Sequence, residues 1–135
     1  MFCIDASVII SALRPQEPYS ERSRAFLDRT RGNQLKVFLP EIALAEIASG
    51  LYRATRNADF VSEVISSLRS TPAFYFVAVD SKIVSQAVNV ILKTGLRSLG
   101  ALYIALAIEY NLVLITLDKE QASKGGQLIH IEPPS

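Results

Sequence analysis

The stretch Leu99-Gly100-Ala101-Leu102-Tyr103-Ile104-Ala105-Leu106-Ala107-Ile108-Glu109-Tyr110 is apolar nearly all the way round a helical wheel. A helix with one face in water does not tolerate that pattern, so these residues predict a central, buried helix. Val113 to Ile115, just beyond it, reads as a short buried-type strand. Short apolar runs alternate with longer helix-like stretches in both directions from this point. Upstream, Phe2 to Ile4 is a strand leading into a helix that begins at Ala6 and reaches Leu13, where Arg14-Pro15-Gln16-Glu17-Pro18 breaks it, because proline lacks the amide hydrogen and biases its predecessor away from helical angles. A second helix runs from Tyr19 to Arg31 and stops at Gly32-Asn33. Lys36 to Leu39 is a strand, and Pro40 is expected in the first turn of a helix reaching Arg56, where its missing amide would be unpaired anyway. Asn57 caps a helix to Arg69. Phe74 to Val79 is a β-branched and aromatic strand, and Asp80-Ser81 caps a helix to Lys93 that Thr94-Gly95 ends. Downstream, Asp118 to Ser123 is a last helical turn or two, Gly125-Gly126 a turn, and Gln127 to Ile131 the final strand before Pro133-Pro134.

Strands separated by helical stretches predict an α/β fold, a parallel sheet with helices on both faces joined by right-handed crossovers. In such sheets the site lies beyond the carboxyl ends of the strands, where the strand order reverses. The chain has 135 residues, 50% of them apolar and 20% charged, which suits one domain spanning 1–135 that buries roughly two-thirds of its unfolded surface. Fourteen Lys and Arg against 13 Asp and Glu leave a net charge of +1, so no global basic field draws the protein onto nucleic acid. Cysteine occurs once, at Cys3, which excludes an internal disulfide framework or a Cys-based zinc site and fits a reducing, cytoplasmic setting. No run approaches the roughly 18 apolar residues of a membrane span, and the N-terminus lacks the pattern of a signal peptide, so a soluble protein with no membrane partner is expected. Half the residues being apolar in so small a domain also predicts an exposed apolar patch covered in a homodimer.

Three carboxylates bear on chemistry. Asp5 directly follows the first strand, and Asp118 follows the strand leading to Thr116, so both belong at one edge of the sheet. At about 100° per residue, the helix after Pro40 puts Leu44, Ala48 and Leu51 on its apolar face and Glu46 opposite, beside Ser49, Gly50 and Arg53, whose small members leave space. Three acids converging on one cleft do not all ionise cheaply without a cation, and oxygen donors suit Mg²⁺ or Mn²⁺. Each residue also has an ordinary reading. Asp5 and Asp118 serve as helix caps, the latter completing a capping box with Gln121, and Glu46 stays solvated, alone or paired with Arg53. Composition and spacing leave both readings open.

Taken together, Ile4-Asp5-Ala6-Ser7-Val8, Leu39-Pro40-Glu41-Ile42-Ala43-Leu44-Ala45-Glu46-Ile47 and Leu114-Ile115-Thr116-Leu117-Asp118 resemble PIN-domain ribonucleases over essentially the whole chain, most of all the short VapC-type toxins of toxin-antitoxin pairs. The resemblance implies a three-layer sandwich with a roughly five-stranded parallel sheet, Mg²⁺- or Mn²⁺-dependent cleavage of single-stranded or structured RNA, and capture by an antitoxin protein. It assigns Asp5, Glu46 and Asp118 as catalytic and metal-binding acids, with Ser7 and Thr116 as supporting hydroxyls. The family's third acid, which opens the buried helix in an Arg-x-x-Asp-Ala pattern, is absent: Arg97-Ser98-Leu99-Gly100-Ala101 puts Gly100 at that place. Losing one of four acids weakens both charge and ligand count. Natural degeneration, recruitment of Glu120 or Glu21, and a change that relieves toxicity are the three explanations. Water activated on an ion between Asp5 and Asp118 is the implied mechanism, with Arg53, Arg97 and Lys119 as phosphate contacts. His130, the sole histidine, reads as structural. The rival classes are a PIN-fold RNA- or protein-binding module with a vestigial cleft, and a phosphoacceptor domain using Asp80 and Lys119. A nucleotide-binding reading lacks any Gly-rich phosphate loop.

Overall fold

A computed structural model describes residues 1–32 and 35–135. Five strands, β1 (Phe2–Ile4), β2 (Val37–Pro40), β3 (Phe74–Val77), β4 (Val113–Ile115) and β5 (Ile131–Glu132), form one sheet in the order β3-β2-β1-β4-β5. Every neighbouring pair is parallel. From β1 the chain steps outward through β2 to β3, then returns to the other side of β1 with β4 and β5. The order therefore reverses at β1 and β4, whose residues pair as Phe2 with Val113, Cys3 with Leu114 and Ile4 with Ile115.

Seven helices cover the sheet among the described residues: α1 (Ala6–Ala12), α2 (Ser20–Gly32), α3 (Ala43–Thr55), α4 (Ala58–Ser70), α5 (Ser81–Thr94), α6 (Ser98–Tyr110) and α7 (Lys119–Gly125). Successive side chains of a strand point to opposite faces, and β1 shows both layers. Phe2 meets Phe26 of α2 edge-on at 5.6 Å, whereas the Cys3 thiol faces the Tyr103 carbonyl of α6 at 3.8 Å. Cys3 is fully buried, and burial pushes its pKa up. As the apolar run requires, α6 is the core helix: Ala101, Tyr103, Ile104, Ala105, Leu106 and Ala107 are all buried.

Four expectations need correction or restriction. Pro40 ends β2 instead of opening a helix: it pairs with Val77, while β1 pairs only with Val37 and Phe38, so the missing amide removes no bond of the β1 ladder. α3 then starts at Ala43. The last strand is Ile131–Glu132 rather than Gln127 to Ile131, because the amides of Leu128 and Ile129 turn back to the Gly125 carbonyl. The third strand stops at Val77, two residues short of Val79. Asn33, assigned with Gly32 to the end of the second helix, lies outside the described residues. Among the described residues no single helix is long and apolar enough to cross a membrane.

Candidate functional site

At the reversal point an aspartate follows each central strand and caps a helix. Asp5 is the N-cap of α1, its Oδ2 accepting the Ser7 amide at 3.1 Å. Asp118 is the N-cap of α7, its Oδ1 accepting the amides of Glu120 (3.0 Å) and Gln121 (3.1 Å). Small hydroxyls lock the two turns together: Ser7 Oγ accepts the Leu117 amide at 3.3 Å, and Thr116 Oγ1 accepts the Asp118 amide at 3.0 Å. The Ser7 and Thr116 hydroxyls near the Asp5 side chain favour its ionised form.

Those bonds do not fully offset the setting of Asp5. Burial pushes its pKa up, and the nearby Asp118 charge adds to the effect. Glu46 is raised too, by burial first and then by the charge of Asp5, while its bond from Tyr103 works the other way. Asp5 thus feels both other acids. The three do not close on a single point: among the described residues, no three His, Cys, Asp or Glu side chains are grouped to enclose one ion as they stand. Oxygen donors in pairs still fit a hard cation, since Mg²⁺ is commonly held by one or two carboxylates with waters completing its shell. A cation would also relieve the crowding of negative charge around Asp5.

Glu46 is half-buried and not paired with Arg53, whose guanidinium donates instead to Ser49 Oγ at 2.8 Å. Its Oε1 accepts the Tyr103 hydroxyl at 2.7 Å, and that hydroxyl accepts the Ala6 amide at 3.2 Å. Glu46, Ser49, Gly50 and Arg53 line an open groove of about 570 Å³ with Leu99. Thr116, Asp118 and Lys119 line a separate groove of about 270 Å³ with Tyr19 and Arg22. The candidate phosphate contacts are therefore divided, Arg53 beside Glu46 and Lys119 beside Asp118. Arg97 is exposed at the N-cap position of α6.

Gly100 is in the first turn of α6, and a Cβ built there would meet only the Gln121 amide nitrogen, at 3.8 Å. Gln121 does not close a capping box. Its buried side chain turns away and donates to the Gly100 carbonyl at 3.0 Å, leaving Oε1 without a partner. Glu120 is committed elsewhere: it is exposed, binds Lys124 at 2.8 Å, and that bond lowers its pKa. Glu21 is exposed on α2. His130 is exposed and sits 3.2 Å from Glu132. Asp80 caps α5 beyond the edge strand β3, accepting the Ile83 amide at 3.0 Å. The edge position separates it from the reversal point where a phosphoacceptor site would form. Tyr103 and Arg22 are the site neighbours that the sequence reading missed. For Tyr103 a signal existed, since a phenol in an otherwise apolar buried helix needs a polar partner.

A family model described as PIN domain matches residues 2–127, and the chain belongs to that family. No curated protein matches it in sequence. Among solved structures, FitAcB from Neisseria gonorrhoeae superposes with a TM-score of 0.76 at 21% identity, covering 99% of this chain and 98% of that one. VapC20 from Mycobacterium tuberculosis, a toxin that cleaves the sarcin-ricin loop, gives 0.78 at 11% identity over 91% and 94%. A toxin-antitoxin complex from Klebsiella pneumoniae gives 0.74 at 14% identity over 100% and 98%. At these identities the likeness is one of fold.

Proposed function

We propose that the protein is a metal-dependent endoribonuclease of the PIN type and the toxin of a toxin-antitoxin pair. The observation that carries the reading is the pair of aspartates closing β1 and β4 at the reversal point, with Asp5 in electrostatic reach of Glu46. Asp5 and Asp118 would hold Mg²⁺ or Mn²⁺, which supplies Lewis acidity and a water of lowered pKa at the scissile phosphate. Glu46 would complete the ligand set and orient the attacking water, and Ser7 and Thr116 fix the turns that carry the two aspartates. Arg53, Arg97 and Lys119 grip backbone phosphates of RNA, Arg53 and Arg97 through forked hydrogen bonds.

Val84, Val88 and Leu92 form an exposed apolar stripe on α5, 46%, 47% and 79% accessible, which supports a homodimer through that helix. Light scattering that reads a monomer at high micromolar concentration refutes the dimer. A toxin-antitoxin complex among the neighbours supports an antitoxin partner, and cleavage of RNA would place the protein in the cytoplasm. The nuclease reading is tested by incubating the protein with single-stranded RNA and Mn²⁺. Metal-dependent cleavage that disappears in Asp5→Asn supports it; cleavage indifferent to both metal and Asp5 overturns it. Gly100, which removes an acid from the cluster, favours a second reading, a PIN-fold module that binds RNA or protein without cutting. An RNA complex that forms with no Mn²⁺-dependent stabilisation supports that module.

A further inference from the structure

The Tyr103 hydroxyl is buried where three elements meet: α6, which carries it, the turn from β1 into α1, and the first turn of α3. Its two bonds are directional. The Ala6 amide can only donate, so the hydroxyl oxygen must accept from it at 3.2 Å. The phenol has a single proton, and the remaining neighbour is Glu46 Oε1 at 2.7 Å. The chain of bonds therefore runs one way, from the Ala6 amide through Tyr103 to Glu46. We propose that Tyr103 is a positioning residue that holds the Glu46 carboxylate beside Asp5, linking α3 to the turn that carries the first acid.

Two further observations support the role. The one side-chain hydrogen bond of Glu46 among the described residues is that from Tyr103, and Ile42 at the N-cap position of α3 makes no side-chain cap bond. Tyr103 itself is 1% accessible on the buried core helix α6, a rigid base for a group that must not wander. Ala6 follows Asp5 directly, so a single hydroxyl ties both acids to α6. This inference rests on the proposed assignment of Glu46 as a site acid.

The test is Tyr103→Phe, which keeps the ring and removes the hydroxyl. Crystal structures of metal-free wild type and variant read the positioning directly. Glu46 bonded to Tyr103 in wild type and swung toward solvent in the variant supports the proposal; Glu46 in one place in both, or unbonded to Tyr103 in wild type, overturns it. Mn²⁺ affinity, measured from the signal of the free ion by electron paramagnetic resonance, gives the second readout. Tyr103→Phe is expected to weaken binding about 10-fold or more, as loss of an outer partner of a metal ligand does. Adding it to Glu46→Ala should cause no further loss, because the hydroxyl then has nothing to position. Equal losses in both backgrounds overturn the proposal. A wild type that takes up no Mn²⁺ overturns the metal-site reading instead, and the two crystal structures then decide the role of Tyr103 alone.

Discussion

Asp5 and Asp118 follow neighbouring strands, and each caps a helix of seven residues, yet their surroundings differ. Asp118 is exposed, with Oδ1 receiving two amides. Asp5 follows its strand without a spacer and is partly buried between two other acids, so its pKa is pushed up by burial and by the charge of Asp118. Both serve the fold as caps, but only Asp5 is held in a setting that costs stability when it is ionised. The difference teaches that environment, not motif, decides what an acid costs the fold, since both begin as an acid after a short apolar run.

The largest expected effect comes from supplying the missing acid. Gly100→Asp has room for its Cβ, an unoccupied direction on the Gln121 amide to bond, and a helix start that favours its charge by about 0.3–1 kcal/mol. Metal-dependent cleavage of single-stranded RNA should rise by about 100-fold or more, on the scale at which electrostatic groups act on a transition state, and Asp5→Asn in the same background should abolish the gain. A folded Gly100→Asp protein that shows no metal-dependent cleavage breaks the nuclease reading. Next is packing on the α7 side. A Cβ on Gly125 would press into Ile104 and Ile131, so Gly125→Ala should cost about 1–3 kcal/mol in a urea melt.

The aspartate comparison is sharpened by one substitution at each position. Asp118→Ala loses two amide bonds of its cap and should destabilise by about 1 kcal/mol. Asp5→Asn keeps an acceptor for the Ser7 amide and removes a disfavoured charge, so it should raise the melting temperature of the metal-free protein at pH 7. The sign follows from linkage. A carboxyl raised in the fold contributes its stability fully below the ordinary value of 3.8 and loses it as pH climbs through the raised value. The advantage of Asp5→Asn should therefore be largest at neutral pH and vanish in acid. Mn²⁺ should stabilise wild type more than the variant, and this difference should also fade as the acids protonate. Equal melting shifts for the two aspartates would break the comparison. The smallest effect is expected of Glu120→Gln: an exposed ion pair within one turn contributes little to stability, and RNA cleavage should not change. A marked loss of cleavage would show that Glu120 acts in the site after all.

Where a signal lies within one element, it is legible in the residues themselves. The apolar run from Leu99 to Tyr110 announces the core helix, and Asn57 and Asp80 announce their caps, each confirmed by a bond to an amide three residues on. Pro40 misleads because proline is tolerated equally in a first helical turn and at a strand end that lacks one neighbour. β5 is only two residues long, too short for any period to mark. The hydrogen-bond partners of the site are harder still. Tyr103 reaches residues 57 and 97 positions away, and Gln121, whose spacing fits a capping box, instead bonds a carbonyl 21 positions back. Such choices are made by the packing of α6 against its neighbours, which local spacing does not contain.

Cys3, the only cysteine, has its thiol sealed between the central strand and α6. Burial keeps it protonated and out of reach of reagents, so it reacts only when the middle of the sheet opens. The protein thus carries its own clock for global unfolding: thiol labelling under native conditions counts the openings of the β1 region, with no probe to be introduced.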